Sequence, residues 1–303
     1  MTVKRTLLLI LLVAGSNCWG QACNYTVSPT LDFGTMAGLP TSQVDVTANI
    51  TVQCPPLGSL LLRRVCISLP TGSGGLSVSD RRMISSGYDV QYQLFRDAAR
   101  TQIWGTVSGN QQLTVDFTLL GGTQVTTVYG RLFAGQTGKP VGLYQSVLNG
   151  IEVREGLTLE SCSSISSVYN LPDSMTAQLE IEPNCTISAT PLDFGNVTSI
   201  AQTDASSNLS VTCTLNGAYT IALDGGNNGD INHRKMQLGP DTIDYQLYQN
   251  AARTQIWGDT AGSTLSSTGN GNTQSLTVYG RVPLQSAKPT GTYQDTITAT
   301  ITY

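Results

Sequence analysis

Two near-copies of one stretch limit what this chain can fold into. Tyr92-Gln-Leu-Phe-Arg-Asp-Ala-Ala-Arg-Thr-Gln-Ile-Trp-Gly105 returns as Tyr245-Gln-Leu-Tyr-Gln-Asn-Ala-Ala-Arg-Thr-Gln-Ile-Trp-Gly258. Four further pairs keep the same order. Leu31-Asp-Phe-Gly34 matches Leu192-Asp-Phe-Gly195, and Asn49-Ile-Thr-Val-Gln-Cys54 matches Asn208-Leu-Ser-Val-Thr-Cys213. Thr127-Val-Tyr-Gly-Arg131 matches Thr277-Val-Tyr-Gly-Arg281, and Lys139-Pro-Val-Gly-Leu-Tyr-Gln145 matches Lys288-Pro-Thr-Gly-Thr-Tyr-Gln294. The offset between Tyr92 and Tyr245 is the size of a domain and far beyond a solenoid repeat. The 303 residues therefore read as one domain used twice, each copy large enough to bury a core.

Charged residues make up only 12%, and Gly, Thr, Ser and Val are abundant, which favours short strands and turns over helices. Lys4 and Arg5 precede Leu7-Leu-Leu-Ile-Leu-Leu-Val-Ala14, an apolar run too short to span a bilayer. Gly20-Gln-Ala22 supplies small residues for cleavage before Cys23, so residues 1–22 read as an export signal. A lipoprotein site at Cys18 is the weaker alternative, because Asn17 stands where a small residue belongs. Cleavage removes two basic residues and no acid, leaving a chain more acidic than its formal −4. That balance, with no basic run, speaks against nucleic-acid binding.

Removing Cys18 with the signal leaves an even number of cysteines, which suits an oxidising compartment. Cys23 and Cys54 hold the same repeat positions as Cys185 and Cys213, so each copy is expected to close one bridge. Cys66 and Cys162 have no counterparts in the second copy and, by elimination, pair with each other. Zinc is the alternative, but the chain has no CxxC and a single histidine, His233. No metal and no cofactor are expected.

Read in order, Cys23–Gly34 and Val44–Gln53 alternate polar and apolar residues as two half-buried strands. Val65–Leu69, Tyr88–Phe95, Thr101–Trp104, the Leu113–Phe117 alternation, Val125–Phe133 and Leu143–Val153 follow as strands. The Ser-rich stretch 155–174 leads into Met175-Thr-Ala-Gln-Leu-Glu-Ile-Glu182, a clean amphipathic strand that closes the first domain, 23–182. The second domain, 183–303, ends on Tyr293–Tyr303, which aligns with the strand from Tyr144, so it lacks a counterpart of Met175–Glu182. A sandwich without its last strand leaves apolar core and backbone donors uncovered and invites another chain.

These motifs resemble spore coat protein U domains. They run from the first cysteine and Leu-Asp-Phe-Gly, through Ala-Ala-Arg-Thr-Gln-Ile-Trp-Gly, to Gly291-Thr-Tyr-Gln-Asp-Thr-Ile-Thr298. The likeness covers essentially the whole chain after the signal, twice. That family includes subunits of archaic chaperone–usher pili. The resemblance implies an all-β protein of two tandem immunoglobulin-like sandwiches, the second lacking its last strand. It also implies a periplasmic chaperone and an outer-membrane usher as partners, and a next pilus subunit as strand donor. Ile187, Ala189, Ile297, Ala299, Ile301 and Tyr303 are the expected strand-accepting residues. A stalk pilin carries a donor extension ahead of its first cysteine. Cleavage before Cys23 leaves none here, as in the family's tip adhesins, which are placed at the cell surface at the pilus end.

The first copy has grown where such a tip would touch an abiotic or host surface. Cys54 to Ile67 is longer than Cys213 to Ile221, and Trp104 to Tyr129 is longer than Trp257 to Tyr279. In immunoglobulin order the B–C, D–E and F–G connections share one end. Leu57, Leu60, Leu61, Leu62, Leu119, Leu120, Val168, Tyr169 and Leu171 are the added apolar residues, expected to form an adhesive face. The competing reading caps a taller core with them. A sugar-binding tip and a secreted structural coat protein remain as alternatives in function. Catalysis is not expected, because His233 is the only histidine, has no counterpart in the first copy, and a nucleophile–base pair or metal cluster needs more partners. Asp224-Gly-Gly-Asn-Asn-Gly-Asp230 reads as a polar turn, since it lacks the later Glu of a calcium loop, and Asp97-Ala-Ala-Arg100 reads as turn structure in both copies.

Overall fold

The computed structural model describes residues 22–38, 42–57, 62–197 and 201–303. Residues 1–21 of the expected signal, and Leu60 and Leu61 of the expected adhesive loop, lie outside the described residues. The first twelve strands are β1 (Asn24–Val27), β2 (Thr30–Met36), β3 (Val44–Cys54), β4 (Arg63–Ser68), β5 (Arg81–Ser85) and β6 (Tyr88–Phe95), then β7 (Leu113–Phe117), β8 (Gly122–Leu132), β9 (Gly142–Leu148), β10 (Glu152–Leu157), β11 (Val168–Asn170) and β12 (Met175–Ile181). They form an eight-stranded sheet, β1-β3-β8-β6-β5-β9-β12-β2, against a four-stranded one, β11-β10-β4-β7.

The remaining strands are β13 (Cys185–Ala189), β14 (Thr203–Cys213), β15 (Ala218–Leu223), β16 (Arg234–Leu238), β17 (Asp241–Tyr248), β18 (Leu265–Thr268), β19 (Thr273–Val282) and β20 (Ala299–Thr302). They form a five-stranded sheet, β13-β14-β19-β17-β16, against a three-stranded one, β18-β15-β20. The molecule is two tandem immunoglobulin-like sandwiches with separate cores.

The repeated stretch makes the same scaffold in each. Trp104, fully buried, donates its indole N–H to the Ile67 carbonyl at 2.8 Å, and Trp257 does the same to Ile221 at 2.9 Å. Beside each tryptophan lies a fully buried arginine. Arg81 donates to the carbonyls of Leu69, Pro70 and Trp104 and to Gln93 Oε1 at 2.6 Å. Arg234 repeats this with Leu223, Asp224, Trp257 and Gln246. A buried guanidinium survives only with its donors satisfied. Burial still lowers the Arg81 pKa to about 10.

The Ala-Ala-Arg turn is built locally. Asp97 accepts from the N–H groups of Thr101 and Gln102, and Asn250 from those of Thr254 and Gln255. Arg100 and Arg253 sit at φ 54°, their guanidinium groups donating to the carbonyls of Gly130 and Gly280. Disulfides join Cys23 to Cys54, Cys66 to Cys162 and Cys185 to Cys213.

Four elements differ from the sequence reading. The expected first strand breaks at Ser28-Pro29: β1 pairs with β3, whereas β2 crosses to the far edge and runs parallel to β12. Leu143–Val153 divides into β9 in one sheet and β10 in the other. Thr101–Trp104 contributes one bridge, Phe95 to Ile103, rather than a strand. Residues 81–85, not read as a strand from the sequence, form one whose inward residues are Arg81 and Met83, so its apolar alternation is broken at Arg81.

Replacing Arg81 or Arg234 by alanine orphans several buried carbonyls, each worth about 1–3 kcal/mol. Urea unfolding followed by tryptophan fluorescence is expected to show a loss of about 3–5 kcal/mol for either variant.

Candidate functional site

The two sandwiches share motifs and differ at one sheet edge. In the first, β12 lies between β9, to which it is antiparallel, and β2, to which it is parallel. Met175, Ala177, Leu179 and Ile181 point inward and are buried. Full burial of each larger side chain stabilises by about 1.5–3 kcal/mol. Leu31 and Phe33 on β2, and Tyr144 on β9, are buried with them.

In the second sandwich the five-stranded sheet stops at β16, the counterpart of β5. The counterparts of β2 and β9, residues 191–197 and 291–297, are not strands, and among the described residues none lies between them. A single bridge, Gln237 to Gln294, keeps the second segment near the sheet edge. Leu192, Phe194 and Tyr293 are consequently only half-buried. They line a cavity of about 710 Å³.

Both segments keep the shape of their paired counterparts. In the first copy Asp32 Oδ1 accepts from Gly34 N at 2.8 Å, with Gly34 at φ 87° where the β2–β12 register shifts. In the second, Asp193 accepts from Gly195 N at 2.7 Å with Gly195 at φ 76°. The Asp-Phe-Gly turn therefore holds its bulge with no strand beside it.

At the groove floor, Asp295 accepts from Tyr245 OH at 2.7 Å on Oδ2 and from the N–H groups of Asn227 and Thr296 at 2.9 Å on Oδ1. Burial, then the hydrogen bond to and charge of Asp295, push the Tyr245 hydroxyl pKa up. Gly226, at φ 79°, passes so close that a Cβ there would collide with the Asp295 carboxylate.

Of the expected accepting residues, Ala189, Ile297 and Ala299 line this cavity. Ile187 and Ile301 pack against the second core beyond its lining, and Tyr303 is exposed. Leu192, Phe194, Tyr293 and Asp295 are lining residues that the sequence reading did not name as accepting. Their signal was already present, because they are the repeats of Leu31, Phe33, Tyr144 and Ser146.

The adhesive candidates lie mostly at one end of the first sandwich. β8 runs from Gly122, opposite Cys54, to Leu132, opposite Val44, a span of roughly 35 Å. The second sandwich meets the chain beyond the Leu132 end, where Val141 N donates to Leu215 O. At the opposite end Leu57 N donates to Leu119 O, and Thr158 N to Leu62 O. Leu57 and Leu119 are half-buried, whereas Leu62 is 43% and Leu120 81% exposed. Leu159, which the sequence reading passed over, is 86% exposed.

The third candidate segment needs correction. β11 folds back antiparallel on β10, so residues 169 and 171 share the inward parity. Val168 is exposed, but Leu171 is buried in the core and Tyr169 packs against it. Tyr169 OH donates to Glu155, which also accepts from Tyr25 OH at 2.9 Å and Cys23 N at 3.1 Å and pairs with Arg63 at 3.5 Å. Leu171 and Tyr169 therefore cannot contribute to an exposed face.

His233 is exposed beside Asp230, and no group of three or more His, Cys, Asp or Glu among the described residues is placed to hold a metal. Asp224 and Asp230 cap their own turn, accepting from Gly226 N and Asn232 N.

The Spore Coat Protein U domain family matches residues 11–150 and 172–300. Protein U of Myxococcus xanthus is 37% identical over 103 residues, covering 31% of this chain and 58% of that protein, so less than two thirds of its length is spanned. A chain of the CsuC–CsuE chaperone–tip adhesion subunit pre-assembly complex, from archaic chaperone–usher Csu pili of Acinetobacter baumannii, superposes with a TM-score of 0.50. It is 17% identical, and the match covers 92% of this chain and 100% of that one. The CupB6 tip adhesin from Pseudomonas aeruginosa superposes with a TM-score of 0.44 at 13% identity, covering 92% and 94%. At these identities the structural likeness speaks to fold.

Backbone amides without sheet partners exchange with solvent through low-energy openings. Hydrogen exchange at residues 191–197 and 291–297 is expected to be about a hundredfold or more faster than at residues 30–36 and 142–148. Mass spectrometry of peptides from the full chain reads this directly.

Proposed function

This chain belongs to the Spore Coat Protein U domain family, and from that premise we propose that it is the tip adhesin of an archaic chaperone–usher pilus. In this reading residues 1–22 are the export signal, 23–182 an adhesin domain and 183–303 a fibre-joining domain. One observation carries it: the first sandwich is completed by its own β12, and the second, built from the same motifs, has an open groove where that strand belongs. A donor strand from the next subunit fills the groove by strand addition. A periplasmic chaperone covers it before an outer-membrane usher assembles the fibre.

The β12 template gives the direction. The donor runs antiparallel to 291–297 and parallel to 191–197, with alternate side chains inward. The start of β1 is already committed to the first sandwich, through the Cys23–Cys54 bridge and the Cys23 N–H bond to Glu155. The exposed leucines at the far end, Leu62, Leu120 and Leu159, are the surface-contacting residues, with Leu57 and Leu119 behind them. They attach by burying apolar area from water.

Fusing a flexible linker and a copy of Met175–Glu182 after Tyr303 tests the groove. Thermal unfolding of the second sandwich is expected to rise by roughly 10 °C or more, and the fused chain to disappear from assembled pili. An unchanged melt with normal incorporation would overturn the donor-strand reading. Separately, the triple change Leu62→Ser, Leu120→Ser and Leu159→Ser is expected to reduce surface attachment about tenfold while leaving pilus number unchanged. Attachment that survives it and is blocked by free sugars would favour a carbohydrate-binding tip.

A further inference from the structure

The groove floor is not apolar throughout, and its polar point has no equal in the completed sandwich. In the first copy Ala177 of β12 stands directly opposite Ser146 of β9, and both are fully buried. Ser146 lies against Gly72 and the Tyr92 hydroxyl. In the second copy the same three places hold Asp295, Gly226 and Tyr245. A neutral hydroxyl has thus been exchanged for a carboxylate, at the position that faces Ala177 of β12 in the first copy.

The Asp295 carboxylate has room for about four hydrogen bonds. Tyr245 OH, Asn227 N–H and Thr296 N–H make three, leaving one acceptor site on Oδ2. In the open groove water can fill that site, because Asp295 is still half-exposed. A donor strand removes that water, as β12 does from Ser146. Directly opposed residues on antiparallel strands have Cβ atoms about 4.5–5.5 Å apart, which a hydroxyl on the opposing Cβ spans and a methyl cannot satisfy.

Resting on the donor-strand reading, we infer that the natural partner is an extended segment bearing serine or threonine opposite Asp295, flanked two residues away on each side by apolar side chains. Asp295 selects this segment against strands that are apolar at all inward positions. Desolvating the carboxylate without a partner disfavours them, and repulsion disfavours an acidic residue there.

The test uses the full exported chain and two synthetic peptides of the Met175–Glu182 sequence, one with Ala177→Thr and one with Ala177→Val. Threonine and valine have nearly the same shape, so the hydroxyl is the only variable. Binding is read by fluorescence anisotropy. The threonine peptide is expected to bind about tenfold more tightly than the valine peptide. In Asp295→Ser, which restores the residue of the first copy, the difference should fall below about twofold. If both peptides bind and valine is equal or better on the unaltered chain, the Asp295 inference is overturned while the donor-strand reading stands. If neither binds, the donor-strand reading fails and the inference with it. Should Asp295→Ser not fold, the comparison on the unaltered chain decides alone.

Discussion

Main-chain groups along a sheet edge need partners on both sides, and in the first sandwich β12 serves two neighbours at once. Without it, β9 and β2 would hold only local contacts, because β5 and β9 share a single register pair, Ile84 with Gln145. The second sandwich displays that situation. Its corresponding pair, Gln237 with Gln294, persists while the strands on either side of the gap do not form. One seven-residue strand thus decides whether three strands join a sheet or lie loose at its edge.

The remainder of each sandwich is insulated from that loss. The buried Arg81 and Arg234 networks, the two tryptophans and the Ala-Ala-Arg turns are reproduced bond for bond, whether or not the last strand is present. They tie the two sheets together, and in the second sandwich the Arg234 network does so from β16, the edge strand itself. The Asp-Phe-Gly turns add a second kind of insulation, since Asp193 and Gly195 keep the bulge by a bond two residues long. A strand added there, as proposed, would meet a preset edge rather than a disordered one, which lowers the conformational cost of docking.

Much of this was legible in the sequence because the chain supplies its own comparison. The repeat fixed the number of sandwiches, singled out the disulfide pairs, and exposed the missing Met175–Glu182 counterpart. Period-two alternation located β3, β6, β7 and β12. It failed at β5, where one of the two inward residues is a satisfied arginine and only Met83 is a hydrophobe, and at Ser28-Pro29, where alternation continues across a change of sheet partner. Tyr169 and Leu171 were misread because a connecting segment turned out to hold a short strand, and parity within a strand decides which side chains face in. Asp295 escaped attention for a different reason: a carboxylate in a polar-looking run, Tyr-Gln-Asp-Thr, reads as a surface residue until the fold places it on a groove floor.

Tension between the Leu120 end of the first sandwich and a fibre joined at the second would run along β3 and β8. Their eleven register pairs lie side by side in that direction. Such a pull loads the whole ladder in shear, so no pair opens ahead of the rest, whereas a sideways pull would unzip them one after another. The Cys23–Cys54 bridge sits at the loaded end of β3 and ties β1 to it there. A sandwich oriented this way resists stretching along its length better than peeling across it, the property that the proposed tip role calls for.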